Sequence, residues 1–160
     1  MKILIVDDDP DILQSLETFL SVRGHEITIE DDPYEALDAV QETPFHLVFL
    51  DINIPRRSGL RLLKEMKDRD RSLDIVMMTG YNAVEKVVDA RKYGALDYLL
   101  KPFDEDFTDL ERVVESAEQR MENWNQALQE EGEFEGQVDI VESVFDNAEP
   151  SEEEQSDEVT

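Results

Sequence analysis

Short runs of apolar residues alternate with amphipathic stretches over residues 1–103. The apolar runs lie at 3–6, 27–29, 47–50, 75–78 and 98–100. Most of them are continuous rather than alternating with polar residues, which is typical of strands covered by helices on both faces. Five βα units of about 20–25 residues each predict an α/β fold in which a parallel, doubly wound sheet is joined by right-handed crossovers.

Helix boundaries are marked by capping residues. Asp9-Pro10 and Asp32-Pro33 each place a carboxylate at an N-cap position and a proline at the first helical position. Gly24 predicts the end of the first helix. Further helices are predicted near 59–69 and 82–93.

The last helical pattern keeps a heptad register for three repeats, which is the spacing of a coiled-coil seam. Its beginning has two candidate caps, Asp104 or Thr108, the latter with Glu111 three residues on as a capping box. The apolar positions of this pattern are Phe107, Leu110, Val114, Ala117, Met121, Trp124 and Leu128. The first half is predicted to close one face of the sheet.

The second half of this pattern extends past the residues that a five-stranded sheet covers. Met121, Trp124 and Leu128 are expected to pack on a second copy in a homodimer, to fold back, or to dock a partner. Gly132 and Gly136 weaken any continuation of the helix. The sequence thus predicts a globular domain over 1–120, a helical extension over 121–131 and an acidic, largely disordered tail over 132–160. An alternative for residues 138–145 is a short amphipathic segment that folds against a partner.

Charge separates these regions and excludes some partners. The chain of 160 residues has 41 acidic and 15 basic side chains, and its formal charge is −26. All the basic residues lie within 1–120, where the net charge is −12, and residues 121–160 contribute −14. We therefore expect no direct binding of nucleic acid or of an anionic membrane. The acidity also fits a salt-rich cytoplasm.

Compartment is predicted from what the sequence lacks. The sequence has no cysteine and no apolar stretch approaching the ~20 residues that span a bilayer. Its N-terminus becomes acidic too soon for a signal peptide. A cytoplasmic protein is the expectation.

Candidate chemistry lies where the predicted strands end, because ligands of open parallel sheets bind at the carboxyl ends of the strands. Asp7 and Asp8 follow the first run, Asp51 follows the third, Thr79 the fourth and Lys101 the fifth. Three carboxylates brought close together repel one another unless a cation neutralises them. Hard oxygen ligands without histidine or cysteine favour Mg²⁺.

Such a cluster can support phosphoryl transfer. An aspartate beside Mg²⁺ can act as a nucleophile toward a phosphoryl group and form an acyl phosphate. Lys101 supplies a cation for the phosphoryl oxygens, and the Thr79 hydroxyl supplies a hydrogen-bond donor.

Four sequence motifs, in this order and spacing, resemble the response-regulator receiver domains (CheY-like) of two-component signalling. They are Ile5-Val6-Asp7-Asp8, Leu50-Asp51-Ile52-Asn53-Ile54-Pro55, Met78-Thr79-Gly80-Tyr81 and Asp97-Tyr98-Leu99-Leu100-Lys101-Pro102-Phe103. The resemblance covers about residues 1–120 and implies a flavodoxin-like sheet of order 2-1-3-4-5. Among receivers, the chain looks most like those of activators that act with sigma-54-type factors, without the output domains of such activators.

The resemblance implies roles for individual residues. Asp51 would accept the phosphoryl group. Asp7 and Asp8 would bind Mg²⁺ together with Asp51, and the backbone carbonyl of Asn53 would be a further metal ligand.

It also implies three further features near the phosphoryl group. Thr79 and Lys101 would contact that group, and the Lys101-Pro102 peptide would be cis. Tyr98 would change rotamer as Thr79 moves toward the phosphate. The chain departs from the family pattern at Arg56-Arg57, two basic residues that would aid a phosphodonor or only offset local acidity.

The resemblance implies a single-domain response regulator. A sensor histidine kinase or a phosphotransfer protein would phosphorylate Asp51, and the signal would leave through protein contacts of the fourth helix, fifth strand, fifth helix and C-terminal extension. Such a protein is not an enzyme beyond catalysing its own phosphorylation and dephosphorylation. Two alternatives remain open: a binding module that works without phosphorylation, and a phosphohydrolase of the haloacid-dehalogenase kind that uses Asp7 as nucleophile and Asp9 as acid.

Overall fold

Five parallel strands form one sheet in the part of the chain that the structure describes. The computed structural model describes residues 1–83 and 85–145, and the side chains of residues 1–80, 82–83 and 85–130. The strands are β1 Lys2–Val6, β2 Glu26–Glu30, β3 Leu47–Asp51, β4 Asp74–Gly80 and β5 Asp97–Lys101. Their order is β2-β1-β3-β4-β5, as the resemblance implies, so the order reverses between β1 and β3.

Helices cover both faces of the sheet. They are α1 Pro10–Val22, α2 Pro33–Glu42, α3 Gly59–Arg69, α4 Glu85–Lys92 and α5 Thr108–Phe145, with a 3-10 turn at Tyr81–Ala83. Alternate residues of each strand enter opposite cores. Leu4, Val48 and Leu50 pack with α2, α3 and α4, whereas Ile5 and Phe49 pack with α1 and α5. This two-sided burial explains why the strand sequences are continuously apolar.

The predicted caps are confirmed. The Asp9 side chain accepts a hydrogen bond from the Asp11 amide at 2.9 Å, and the Asp32 side chain accepts one from the Tyr34 amide at 2.8 Å. Gly24, which lies just after α1, has a φ of 85°. Glycine adopts this left-handed conformation without the cost that a Cβ brings.

The beginning of α5 distinguishes its two candidate caps. The Asp104 carboxylate accepts a hydrogen bond from the Thr108 amide at 3.2 Å. The alternative, a capping box built on Thr108, is wrong because Thr108 is itself the first residue of α5 and the Glu111 amide donates to the Phe107 carbonyl at 2.9 Å. The Glu111 carboxylate accepts hydrogen bonds from the Arg23 guanidinium at 3.3 Å. A long-range ion pair thus replaces the expected local contact.

The heptad positions of α5 differ in burial. Leu110, Val114 and Ala117 are buried in the core, whereas Trp124 and Leu128 are 63% and 51% exposed. The chain divides into two units after Met121, and the first of them, Met1–Met121, is compact. No described helix is long and apolar enough to cross a bilayer.

The helix is longer than the extension expected over 121–131. It continues through Gly132 and Gly136 to Phe145. A helical glycine costs only about 1 kcal/mol relative to alanine, so two glycines do not necessarily end a helix. Residues 146–160 lie outside the described residues, and both the disorder of the acidic tail and the proposed domain boundaries stay predictions.

Candidate functional site

Three carboxylates converge at the carboxyl edge of the sheet. Asp7 directly follows β1 and Asp51 ends β3, and these two strands are neighbours. One oxygen from each of Asp7, Asp8 and Asp51 lies within 4.8 Å of the others. Asp7 and Asp51 are buried, whereas Asp8 is exposed. The sequence argument that these strand ends meet in one pocket is therefore confirmed.

Lys101 faces the two buried carboxylates. It ends β5, and its ammonium forms an ion pair with Asp7 and lies 3.5 Å from Asp51 Oδ2. The backbone amide of Asp9 also donates to Asp7 Oδ1 at 2.9 Å. Burial raises the pKa of the Asp7 carboxyl above its ordinary value, and hydrogen bonds from Lys101 and from the Asp9 amide only partly offset this effect.

The loop after β3 closes over Asp51. Asn53 donates its backbone N–H to Asp51 Oδ1 at 3.1 Å. The side chain of Asn53 accepts a hydrogen bond from the Lys86 ammonium, also at 3.1 Å, which links this loop to α4. The Asn53 main chain therefore lies directly beside the carboxylate cluster.

Thr79 and Tyr98 lie on one face of adjacent strands. In the β4–β5 register Met77 pairs with Tyr98 and Thr79 with Leu100, so Thr79, two residues after Met77, projects from the same face as Tyr98. Thr79 is fully buried, and its hydroxyl donates to the Gly80 carbonyl at 3.1 Å. Tyr98 is half-buried against the core formed with α3 and α4. The Lys101-Pro102 peptide is cis, as the resemblance implies.

A glycine that the sequence analysis did not single out controls the shape of this loop. A Cβ at Gly59, the first residue of α3, would lie 2.7 Å from Ile52 Cα and 2.8 Å from the Ile52 carbonyl oxygen, and closer still to the Asp51 carbonyl oxygen. Real Cβ atoms essentially never approach within 3.0 Å of such atoms. Only glycine therefore lets α3 begin against the backbone of the site. Its position eight residues after Asp51 is the only signal that the sequence offered.

Arg56 and Arg57 have partners of their own. The Arg56 guanidinium is 2.5 Å from Asp32 Oδ2, and that of Arg57 pairs with Glu65 and lies over the ring of Tyr34 at 5.1 Å. Arg56 has a φ of 69°, a conformation that costs a non-glycine residue about 1–2 kcal/mol. Of the two sequence-based interpretations, the structure favours neutralisation of local acidity.

The residues present fit a hard divalent cation. The three carboxylates form an all-oxygen donor set, with no histidine or cysteine in the cluster. One of the carboxylates is exposed, which leaves the cluster open to water, and Mg²⁺ keeps several waters when it binds. Asp7, Asp8 and Asp51 would hold the ion.

Comparison with known proteins identifies the family of this chain. Residues 3–115 match the family described as the response regulator receiver domain. The chain is 37% identical over 117 residues to the transcriptional regulatory protein ZraR of Escherichia coli, which covers 73% of this chain and 26% of that protein. It is 38% identical over 115 residues to the transcriptional regulatory protein FixJ of Bradyrhizobium diazoefficiens, which covers 72% of this chain and 55% of that protein.

Solved structures share the fold. The crystal structure of the receiver domain of NtrX from Brucella abortus has a TM-score of 0.67 and 40% identity, and the match covers 72% of this chain and 96% of that one. A response regulator receiver domain protein from Clostridium thermocellum has a TM-score of 0.72 and 29% identity, over 77% and 98% of the two chains. The chain spans about a quarter of the length of the ZraR relatives. By its matched residues, its sheet order and its relatives, the chain belongs to the response regulator receiver domain family.

Proposed function

We propose that this chain accepts a phosphoryl group on Asp51 from the phosphohistidine of a histidine kinase or a phosphotransfer protein. The observation that carries the proposal is the single cluster at the edge of the sheet. It contains three carboxylates, and the Lys101 ammonium lies between the two buried ones.

The transfer requires a nucleophile whose charge is partly neutralised. A carboxylate oxygen of Asp51 attacks phosphorus, the bond from phosphorus to the imidazole nitrogen breaks, and the electron pair stays on that nitrogen. The Lys101 ammonium, 3.5 Å from Asp51 Oδ2, stabilises the negative charge on the phosphoryl oxygens. Bound Mg²⁺ supplies further screening between the carboxylate and those oxygens.

The remaining residues hold Asp51 and respond to the phosphoryl group. The Asn53 amide fixes one carboxylate oxygen through its 3.1 Å hydrogen bond. The Thr79 hydroxyl leaves the Gly80 carbonyl and donates to a phosphoryl oxygen, which opens space on the face that it shares with Tyr98. Tyr98 then turns inward and shifts the equilibrium between two conformations.

We further propose that the signal leaves by protein contacts. The α4–β5–α5 face changes when Tyr98 turns, and Trp124 and Leu128 on the C-terminal extension offer apolar side chains to a second copy or to a partner. The protein acts in the cytoplasm, binds no nucleic acid itself and catalyses only its own phosphorylation and dephosphorylation.

Two contacts speak against the hydrolase alternative. Asp7, its nucleophile, is buried and paired with Lys101. Asp9, its acid, uses its carboxylate to cap α1. The cluster of Asp7, Asp8, Asp51 and Lys101 in turn disfavours a module that works without phosphorylation.

The experiment compares wild type, Asp51→Asn and Asp7→Asn after incubation with a small acyl-phosphate donor, with Mg²⁺ or with EDTA, followed by intact-mass measurement. We expect wild type to gain one phosphoryl group only with Mg²⁺ and Asp51→Asn to gain none. Turnover of a small phosphoester by Asp51→Asn but not by Asp7→Asn would instead support the hydrolase. Normal partner binding by an unphosphorylatable Asp51→Asn protein would support the phosphorylation-independent module.

A further inference from the structure

The segment between Asp51 and Gly59 carries the carbonyl predicted to bind the metal, and its two ends are fixed in different ways. Near β3, the amide of Ile52 donates to the Met78 carbonyl at 2.9 Å, and the side chains of Ile52 and Ile54 are buried. At the helix end, the Gly59 amide donates to the Ile52 carbonyl at 3.1 Å. The outer residues between these anchors depend on other contacts.

Arg56 attaches the outer loop to α2. Its guanidinium is 2.5 Å from Asp32 Oδ2, and the same carboxylate accepts the Tyr34 amide as the N-cap of α2. The Arg56 backbone has a φ of 69°, which a side-chain-bearing residue keeps only where surrounding contacts compensate for the strain. The ion pair with Asp32 is such a contact.

Arg57 attaches the loop to α3 and to Tyr34. Its side chain is 15% exposed and that of its partner Glu65 is 27% exposed, so this ion pair is largely shielded from water. The Arg57 guanidinium also lies 5.1 Å from the centre of the Tyr34 ring. A planar guanidinium can pair with a carboxylate and stack on an aromatic ring at once, which a lysine ammonium does less well.

We propose that Arg56 and Arg57 are positioning residues that hold the Asn53 segment beside the three carboxylates before a metal binds. This inference rests on the proposed function, with those carboxylates and, as the resemblance implies, the Asn53 carbonyl as the ligands of Mg²⁺. The two guanidinium groups pair with Asp32 and Glu65, so they act through the loop and not on the phosphoryl group. Their removal weakens the affinity for Mg²⁺, while the reaction at saturating Mg²⁺ continues.

Calorimetric titration with Mg²⁺ measures this directly, and the Mg²⁺ dependence of phosphorylation by an acyl-phosphate donor gives a second readout. In Arg57→Ala we expect both the dissociation constant and the half-saturating Mg²⁺ concentration to rise roughly tenfold, the lower end of the range for residues that support metal ligands indirectly. The phosphorylation rate at saturating Mg²⁺ should stay within about twofold of wild type. A residue that only stabilised the fold would leave the Mg²⁺ affinity of the folded protein unchanged.

Arg61→Ala is the matched control. Arg61 also contacts Glu65, at 3.3 Å, but it is 74% exposed and belongs to α3 rather than to the loop. We expect the Arg61→Ala protein to bind Mg²⁺ with the affinity of wild type. Arg56→Gly covers the case in which Arg57→Ala does not fold, because glycine adopts the positive φ of this position without strain while the guanidinium contact is lost.

The outcomes separate this proposal from the proposed function. Weaker Mg²⁺ binding in Arg57→Ala or Arg56→Gly, but not in Arg61→Ala, supports the positioning role. Wild-type Mg²⁺ affinity in both loop variants overturns it, and so does a loss of rate at saturating Mg²⁺ without a change in affinity. If wild type binds Mg²⁺ but is never phosphorylated, the proposed function fails while the calorimetric comparison still decides the role of the arginines.

Discussion

Replacing Asp8 by asparagine should stabilise the protein in the absence of metal. One carboxylate oxygen from each of Asp7, Asp8 and Asp51 lies within 4.8 Å of the others, and Lys101 forms ion pairs with Asp7 and Asp51. Two like charges at this distance repel by about 3.5 kcal/mol at an effective dielectric constant near 20, and by about 0.9 kcal/mol in bulk water. Because Asp8 is exposed and faces two such neighbours, we expect Asp8→Asn to raise the free energy of unfolding by about 1–2 kcal/mol.

Mg²⁺ should reverse the order of stability of wild type and Asp8→Asn. An ion that binds only the folded state adds about 2.7 kcal/mol at a concentration 100 times its dissociation constant, which exceeds the gain from the substitution. Wild type should therefore be the more stable protein in saturating Mg²⁺ and the less stable one in EDTA. Urea denaturation of both proteins under both conditions measures the four free energies.

Asp9→Asn provides the control for a general effect of net charge. It removes one negative charge at the adjacent residue, and asparagine caps a helix as well as aspartate does, so the free energy of unfolding should change by less than about 0.5 kcal/mol. Equal stabilisation by Asp8→Asn and Asp9→Asn in EDTA would refute the argument from local repulsion. Destabilisation of the metal-free protein by Asp8→Asn would refute it as well.

Three further predictions concern packing and titration. Gly59→Ala should lower the free energy of unfolding by about 3 kcal/mol and weaken the Mg²⁺ binding measured by calorimetry. Gly24→Ala, whose Cβ would meet open space, should lower the free energy of unfolding by about 1–2 kcal/mol and leave Mg²⁺ binding unchanged. Burial raises the pKa of the Asp7 carboxyl, so its ionised form destabilises the metal-free fold at neutral pH. Wild type should therefore be less stable than Asp7→Asn at neutral pH, and this difference in the free energy of unfolding should shrink as the pH falls through the raised pKa toward 3.8. Urea denaturation in EDTA across this pH range tests the sign of the change. Trp124→Ala should change the free energy of unfolding by less than about 0.5 kcal/mol, and Leu110→Ala should lower it by about 2–5 kcal/mol, because the first side chain is 63% exposed and the second 1%.

Most of the fold could be predicted because local signals and tertiary packing agree. The continuous apolar run 47–50 became a strand buried on both faces, and Asp9 and Asp32 cap the helices that they precede. For the start of α5 the sequence offers two candidate caps, and local signals alone do not choose between them. A tertiary ion pair between Glu111 and Arg23, 88 positions apart in the chain, replaced the expected local contact.

The convergence of the candidate site could also be predicted, because parallel strands bring their carboxyl ends to one edge. That rule places Asp7 and Asp51 together only if β1 and β3 are neighbours, and the resemblance implied this adjacency, which the sheet order confirms. It could not reveal the role of Gly59, since the requirement for glycine arises from an approach to the backbone of Ile52. Nor could it identify Asp32 and Glu65 as the partners of the two arginines, because those pairs join residues 24 and 8 positions apart through the packing of α2 and α3 around the loop.

Chemical trapping of the proposed acyl phosphate on Asp51 is the most direct test of the proposed function. The protein is incubated with Mg²⁺ and an acyl-phosphate donor and then treated with borohydride, which reduces an aspartyl phosphate to homoserine, and the altered residue is located by peptide mass spectrometry. We expect homoserine at position 51 alone, and none in samples that contain EDTA. Homoserine at position 7, or an unaltered chain after exposure to an active donor and ample Mg²⁺, would contradict it.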